Sequence, residues 1–130
     1  MHCKIAIKSI YGKYVSRTWG GGVEADRDHI STWEIWEVTF KGNNNVCLRS
    51  IYSDTFMYAY KFLWQSRVEA TYWLFTNTCS DRETFHVSQS YGYFTFKSYL
   101  GYLKANVDGR FDSDGESGDH RIRFEIIPID

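Results

Sequence analysis

Apolar and polar residues alternate along this chain in short runs, and three of the runs share one pattern. Ile5-Ala6-Ile7-Lys8-Ser9, Val46-Cys47-Leu48-Arg49-Ser50 and Phe94-Thr95-Phe96-Lys97-Ser98 each read apolar, small or polar, apolar, basic, serine. A period of two puts both apolar side chains of a run on one face of a β-strand, with the basic residue pointing the other way or at the strand end. Each run is followed by a short turn and a second apolar-aromatic run: Gly12-Lys13-Tyr14-Val15-Ser16, Thr55-Phe56-Met57-Tyr58 and Gly101-Tyr102-Leu103-Lys104-Ala105. Hairpins are predicted there. A third strand is expected over Gly22-Val23-Glu24-Ala25, Arg67-Val68-Glu69-Ala70 and Gly109-Arg110-Phe111-Asp112, and a fourth around Trp36-Glu37-Val38, Phe85-His86-Val87 and Phe124-Glu125-Ile126. The pattern predicts twelve short strands in three sets of four.

The repeats fall at about residues 3–42, 43–90 and 91–130, and the second is the longest, with additional residues around Tyr60 to Gln65 and Tyr72 to Cys79. Surface loops accept such insertions because closure entropy grows slowly with length. No linker, low-complexity tract or block of like charge divides the chain, so a single domain over 1–130 is expected. No stretch of helical length keeps apolar positions at i, i+3, i+4 and i+7 without turn residues intervening.

Composition sharpens this picture. Nine Phe, ten Tyr and five Trp against one Pro favour strands, and ten Gly with many Asn, Asp and Ser supply the turns. Fifteen basic and sixteen acidic side chains leave a net charge of −1, without the uniform positive field of a general nucleic-acid binder. Cys3, Cys47 and Cys79 are odd in number and widely spaced, which argues against a disulfide framework and a zinc site and predicts free buried thiols. The start of the chain lacks the apolar run of a signal peptide, and no segment has the length of a membrane span, so a cytoplasmic protein is expected.

The stretch Lys8-Ser9-Ile10-Tyr11-Gly12-Lys13-Tyr14-Val15-Ser16, followed by Gly21-Gly22-Val23-Glu24-Ala25-Asp26-Arg27 and Trp33-Glu34-Ile35-Trp36-Glu37-Val38, resembles the repeat of the fascin-like family. The second copy has Ser53-Asp54-Thr55-Phe56 and Ala70-Thr71-Tyr72 instead of the Gly-Lys-Tyr and Ala-Asp-Arg elements. The third carries Asp112-Ser113-Asp114 where Ala-Asp-Arg stands in the first. The resemblance implies an all-β β-trefoil that binds rather than catalyses. It implies filamentous actin as the leading partner, bound and cross-linked if two filament sites are present, with carbohydrate as the alternative, since both kinds of binder occur in the family. The fold by itself does not choose between them.

For actin, an acidic filament, the candidates are the basic residues of the first copy: Lys4, Lys8, Lys13, Arg17 and Arg27. For carbohydrate they are Trp19, Asp26, Trp33, Trp64 and Trp73, because these tryptophans fall in loops or insertions without evident counterparts, where a flat apolar side chain suits sugar stacking. Tyr14, Trp36, Phe56, Phe85, Phe94, Phe96, Phe111 and Phe124 sit at repeat-equivalent positions and are expected in the core. The acidic loop Asp108, Asp112, Asp114, Glu116 and Asp119 misses the EF-hand spacing, and Gly20-Gly21-Gly22 has no following helix to cradle phosphate. Both read as turns. The four His are isolated and no nucleophile motif occurs, so no metal, cofactor or catalytic residue is predicted.

Overall fold

The computed structural model describes residues 3–71 and 78–130. Twelve strands run through these residues: β1 (Cys3–Ser9), β2 (Tyr14–Arg17), β3 (Val23–Arg27), β4 (Trp36–Phe40), β5 (Asn45–Ser50), β6 (Tyr58–Phe62), β7 (Gln65–Glu69), β8 (Phe85–Ser90), β9 (Tyr93–Lys97), β10 (Tyr102–Ala105), β11 (Phe111–Gly115) and β12 (Phe124–Ile129). Among the described residues helix is confined to three single-turn 3-10 segments, Thr32–Glu34, Asp81–Glu83 and His120–Ile122. Twelve strands are present as expected, because alternation with turn residues on both sides is a local property that a sheet only has to accept, but the second strand of the second repeat runs over Tyr58–Phe62 rather than Thr55–Tyr58, so Tyr60 to Gln65 belong to a hairpin and not to an inserted loop.

Six strands close on themselves. β1 pairs antiparallel with β12 and β4, β4 with β5, β5 with β8, β8 with β9, and β9 with β12. The other six form three hairpins, β2–β3, β6–β7 and β10–β11. Their inward residues Val23, Ala25, Val68, Ala70, Leu103, Ala105 and Phe111 join the same apolar cluster as barrel residues Ile5, Ile7, Trp36, Leu48, Phe85, Phe96 and Phe124. The closing aromatics Trp36, Phe85 and Phe124 are fully buried, each contributing about 1.5–3 kcal/mol by leaving water. The Trp36 indole N–H donates to the Val15 carbonyl at 3.2 Å, which meets the polar demand of burying that ring.

The hairpins touch one another through matched positions. Ala25 N–H donates to the Gly109 carbonyl and Ala70 N–H to the Gly21 carbonyl, both at 2.8 Å. At the third junction the Ser113 N–H donates instead to the Ser66 Oγ, at 3.3 Å. Gly21 and Gly109 hold φ of 95° and 94°, a region costly for residues with a Cβ, and Ser66 at the matching position makes the contact with its side chain.

The serine that ends each signature run is buried for a local reason: its hydroxyl accepts a turn N–H. Ser9 takes Tyr11, Ser50 takes Ser53 and Ser98 takes Leu100, at 3.2, 3.4 and 3.1 Å. The basic residue before it covers the hairpin outside: Lys8 lies over the Tyr14 ring and Lys97 over the Tyr102 ring. Arg49 instead pairs with Glu37 and Asp54.

Three expectations need correction. Tyr14 and Phe56 are only partly buried, and in the first two repeats it is Val15 and Met57 that face inward, one residue further on, while Phe94, in the first strand of the third repeat, is partly buried against the core. A shift of one residue exchanges the two faces of a strand, and the aromatic run alone did not fix the register. Cys47 and Cys79 are not free thiols: they are joined as a disulfide with Cα atoms 6.0 Å apart, leaving Cys3 the one free cysteine. Their sequence separation of 32 conceals a contact that exists only once β5 and the segment before the second 3-10 turn come together. Trp19 and Trp64 do have counterparts, namely each other: both precede by two residues a junction residue, Gly21 or Ser66, and Val107 holds the same place before Gly109.

Candidate binding site

The turn between β2 and β3 and the segment after β3 enclose a groove of about 550 Å³, lined by Trp19, Asp26, Arg27, Asp28, His29, Ser31, Trp33 and Glu34. Trp19 rides on the Thr18–Gly22 turn, closed by Thr18 N–H to Gly22 carbonyl at 2.8 Å and Gly21 N–H to Thr18 carbonyl at 3.0 Å. Asp26 is held against Gly109 of the third hairpin, so the groove floor depends on the junction between repeats. Trp33 sits in the first 3-10 turn, which Glu34 and Ser31 fasten: the Glu34 carboxylate accepts from Ser31 N–H at 2.8 Å, Ser31 Oγ at 2.7 Å and Ser16 Oγ at 2.7 Å. This is the reciprocal cap expected of a serine followed three residues later by glutamate.

Trp19 is 84% exposed. Trp33 is half-buried and stacks on Tyr52, ring centroids 3.6 Å apart and 22° from parallel, so one face is anchored while the rest borders the groove. The polar lining carries both signs. Lys13 pairs with Asp28 and holds its carboxyl below the usual range. Arg27 lies 3.6 Å from Asp26. Burial, and then the neighbouring Asp26 charge, raise the Glu24 carboxyl. Aromatic faces beside carboxylate acceptors and guanidinium and imidazole donors suit a flat, hydroxyl-rich ligand: C–H faces stack and hydroxyls bond at the rim.

Of the tryptophan and aspartate candidates, the structure brings together Trp19, Asp26 and Trp33. Trp64 belongs to the β6–β7 hairpin and borders a different cavity, with Arg67, Glu69, Arg110 and Asp114. Trp73 lies outside the described residues. Sequence reasoning missed Asp28 and His29, which directly follow the Asp26-Arg27 pair it did single out, and Tyr52, whose stacking on Trp33 is a contact between repeats with no local signal.

The basic candidates are spread over β1–β3 among acidic neighbours. Lys4 is exposed on β1 opposite Glu37 in register, and Lys8 lies over Tyr14 and opposite Glu125. Lys13 is paired with Asp28, Arg17 Nε donates to the Ala70 carbonyl at 3.0 Å, and Arg27 faces Asp26. In the acidic loop, Asp112 binds Asn106 and Arg110, Asp114 binds Lys104, and Asp119 binds Arg121. Among the described residues no cluster of three or more His, Cys, Asp or Glu side chains is arranged to hold a metal ion, and no helix is long and apolar enough to cross a membrane. Compared with known proteins, the chain matches no family model and no curated protein sequence.

Proposed function

We propose that the chain is a β-trefoil domain that binds carbohydrate without catalysis, through the groove between Trp19 and Trp33. A closed six-stranded barrel with three hairpins, joined at matched positions in three repeats, supports the trefoil reading. The observation that carries the carbohydrate reading is that Trp19, Asp26 and Trp33, from the turn before β3, β3 itself and the 3-10 turn after it, line one open groove with mixed polar lining. The Cys47–Cys79 disulfide supports a chain that works in oxidising surroundings, where glycans are displayed, rather than in the cytoplasm.

Actin binding is the second reading, favoured by the likeness of the first repeat to the fascin-like pattern. It draws less support from the charges, because the basic residues proposed for it lie beside acidic or aromatic partners of their own fold. A glycan array followed by calorimetry separates the two. Carbohydrate binding is expected to lose at least about tenfold in affinity in Trp19→Ala and in Trp33→Ala, each contact being worth roughly 1.4 kcal/mol or more. It should change little with salt and be kept in Trp64→Ala. No glycan bound at millimolar concentration, together with salt-sensitive co-sedimentation with filamentous actin that Lys8→Glu plus Lys13→Glu abolishes, would reverse the order of the two readings.

A further inference from the structure

The β6–β7 hairpin is unlike the other two. Its strands pair over five positions, from Tyr58↔Glu69 to Phe62↔Gln65, and only Leu63 and Trp64 make the turn. The corresponding turns, Thr18–Gly22 and Asn106–Arg110, are longer and contain glycine. Three successive apolar residues form the tip, and all are open to solvent: Phe62 59%, Leu63 70% and Trp64 79% exposed. Leu63 holds φ of 57°, a left-handed conformation that a leucine adopts only against its preference. Asn or Gly would make this turn without strain, so a large apolar side chain stands where neither folding nor solubility calls for one.

We propose that this tip is a lipid anchor, which enters the headgroup region of an anionic bilayer with Phe62, Leu63 and Trp64. The shape favours a bilayer over a protein partner. The tip is convex and narrow, and a lipid surface needs only to part around it, whereas a protein would have to supply a matching pocket. Backbone polarity does not oppose shallow entry, because Phe62 and Gln65 are paired across the hairpin up to the turn itself. Tryptophan with neighbouring aliphatic and aromatic side chains belongs at the interface between headgroups and acyl chains.

Charge selects the lipid. Lys61 and Arg67 flank the tip, both exposed. Among the described residues Lys61 makes no ion pair, and the Arg67 guanidinium donates to the Gln65 side-chain oxygen, at 2.9 Å, and is in no ion pair. Most acidic groups of the cavity that Trp64 borders are engaged within the fold: Glu69 accepts from the Tyr58 and Tyr60 hydroxyls, Asp112 pairs with Arg110 and Asp114 with Lys104, while Glu24 is exposed on β3, beyond the β6–β7 hairpin. The cations nearest the tip are therefore the ones left to meet lipid phosphate and carboxylate. The tip is distinct from the Trp19 groove, so the inference does not depend on the carbohydrate reading.

The test is sedimentation of the full chain with vesicles of phosphatidylcholine alone and with added phosphatidylserine, using wild type, Lys61→Glu and the double variant Leu63→Asn/Trp64→Ser. Asparagine accepts a positive φ, so the double variant is expected to melt no lower than wild type. Wild type should pellet with the mixed vesicles, at least about tenfold more weakly with phosphatidylcholine alone, and its tryptophan emission should be quenched by brominated lipid. The double variant should lose pelleting and much of that quenching, and Lys61→Glu should lose the preference for the anionic lipid. No pelleting, or pelleting that the double variant retains, overturns the proposal. So does concentration-dependent dimerisation in lipid-free buffer that disappears in the double variant, which would make the tip a contact between copies.

Discussion

Glu34 is almost completely buried, and removing its side chain tests whether the first 3-10 turn is held by polar bonds or by packing. Its carboxylate accepts from Ser31 N–H, Ser31 Oγ and Ser16 Oγ, at 2.7 to 2.8 Å. Hydrogen bonds to a charged group contribute about 1.5–3 kcal/mol each, and a donor left unmet in the interior costs about 1–3 kcal/mol. The two serine hydroxyls can turn toward other acceptors, Ser16 toward the Arg17 carbonyl for example, so the three terms do not add fully. Glu34→Ala is therefore expected to cost about 3–5 kcal/mol, a large fraction of the roughly 5–15 kcal/mol that holds a domain of this size. The third repeat supplies an internal comparison. Ile122 is buried at the matching place, and there Asp119 caps the turn alone by accepting from Arg121 N–H at 2.9 Å. Glu34→Ile should thus remain destabilised despite its apolar bulk, and adding Ser16→Ala should recover part of the loss, with a coupling of about 1–2 kcal/mol. Urea unfolding followed by tryptophan fluorescence measures these differences, provided the slope of stability against urea stays constant. A Glu34→Ala cost within about 0.5 kcal/mol of zero, or no coupling in the cycle, would refute the reasoning.

Other consequences can be read from the same contacts. Closing the 32-residue separation between Cys47 and Cys79 is worth about 4 kcal/mol in chain entropy, so reductant should lower the melting temperature, and Cys3→Ser should leave that shift unchanged. Gly109→Ala meets both a φ of 94° and a Cβ position 2.6 Å from the Asp26 Cβ, for an expected loss of about 2–4 kcal/mol. The same substitution should weaken glycan binding by moving Asp26, whereas Gly42→Ala, with open space around it, should cost less and spare binding. The Tyr60 hydroxyl is pushed up to about 12 by burial and by its bond to Glu69. A raised value in the folded state means that its contribution is complete below the ordinary value near 10 and is lost as pH climbs from there to about 12. Phenolate absorbance should accordingly show a delayed step that Tyr60→Phe removes.

Twelve strands, their grouping in fours and the identity of the closing aromatics Trp36, Phe85 and Phe124 follow from the sequence by itself, because alternation and turn chemistry act between near neighbours and the repeats report them three times. The Lys-Ser and Arg-Ser signatures are equally local, a turn hydroxyl behind a basic cover. Tertiary structure decided what depends on contacts across the chain. Which face of Tyr14-Val15 and Phe56-Met57 turns inward is set by the register of each hairpin on the barrel, not by how apolar the pair is. The stacking of Tyr52 on Trp33 and the support of Asp26 by Gly109 each join different repeats, and the Cys47–Cys79 bond joins two distant places within the second. The tryptophans were visible as candidates, but only the closed barrel divides them: Trp19 and Trp33 meet at one groove because one turn and one cap flank β3, while Trp64 is carried away on a hairpin whose strained turn leaves it facing solvent.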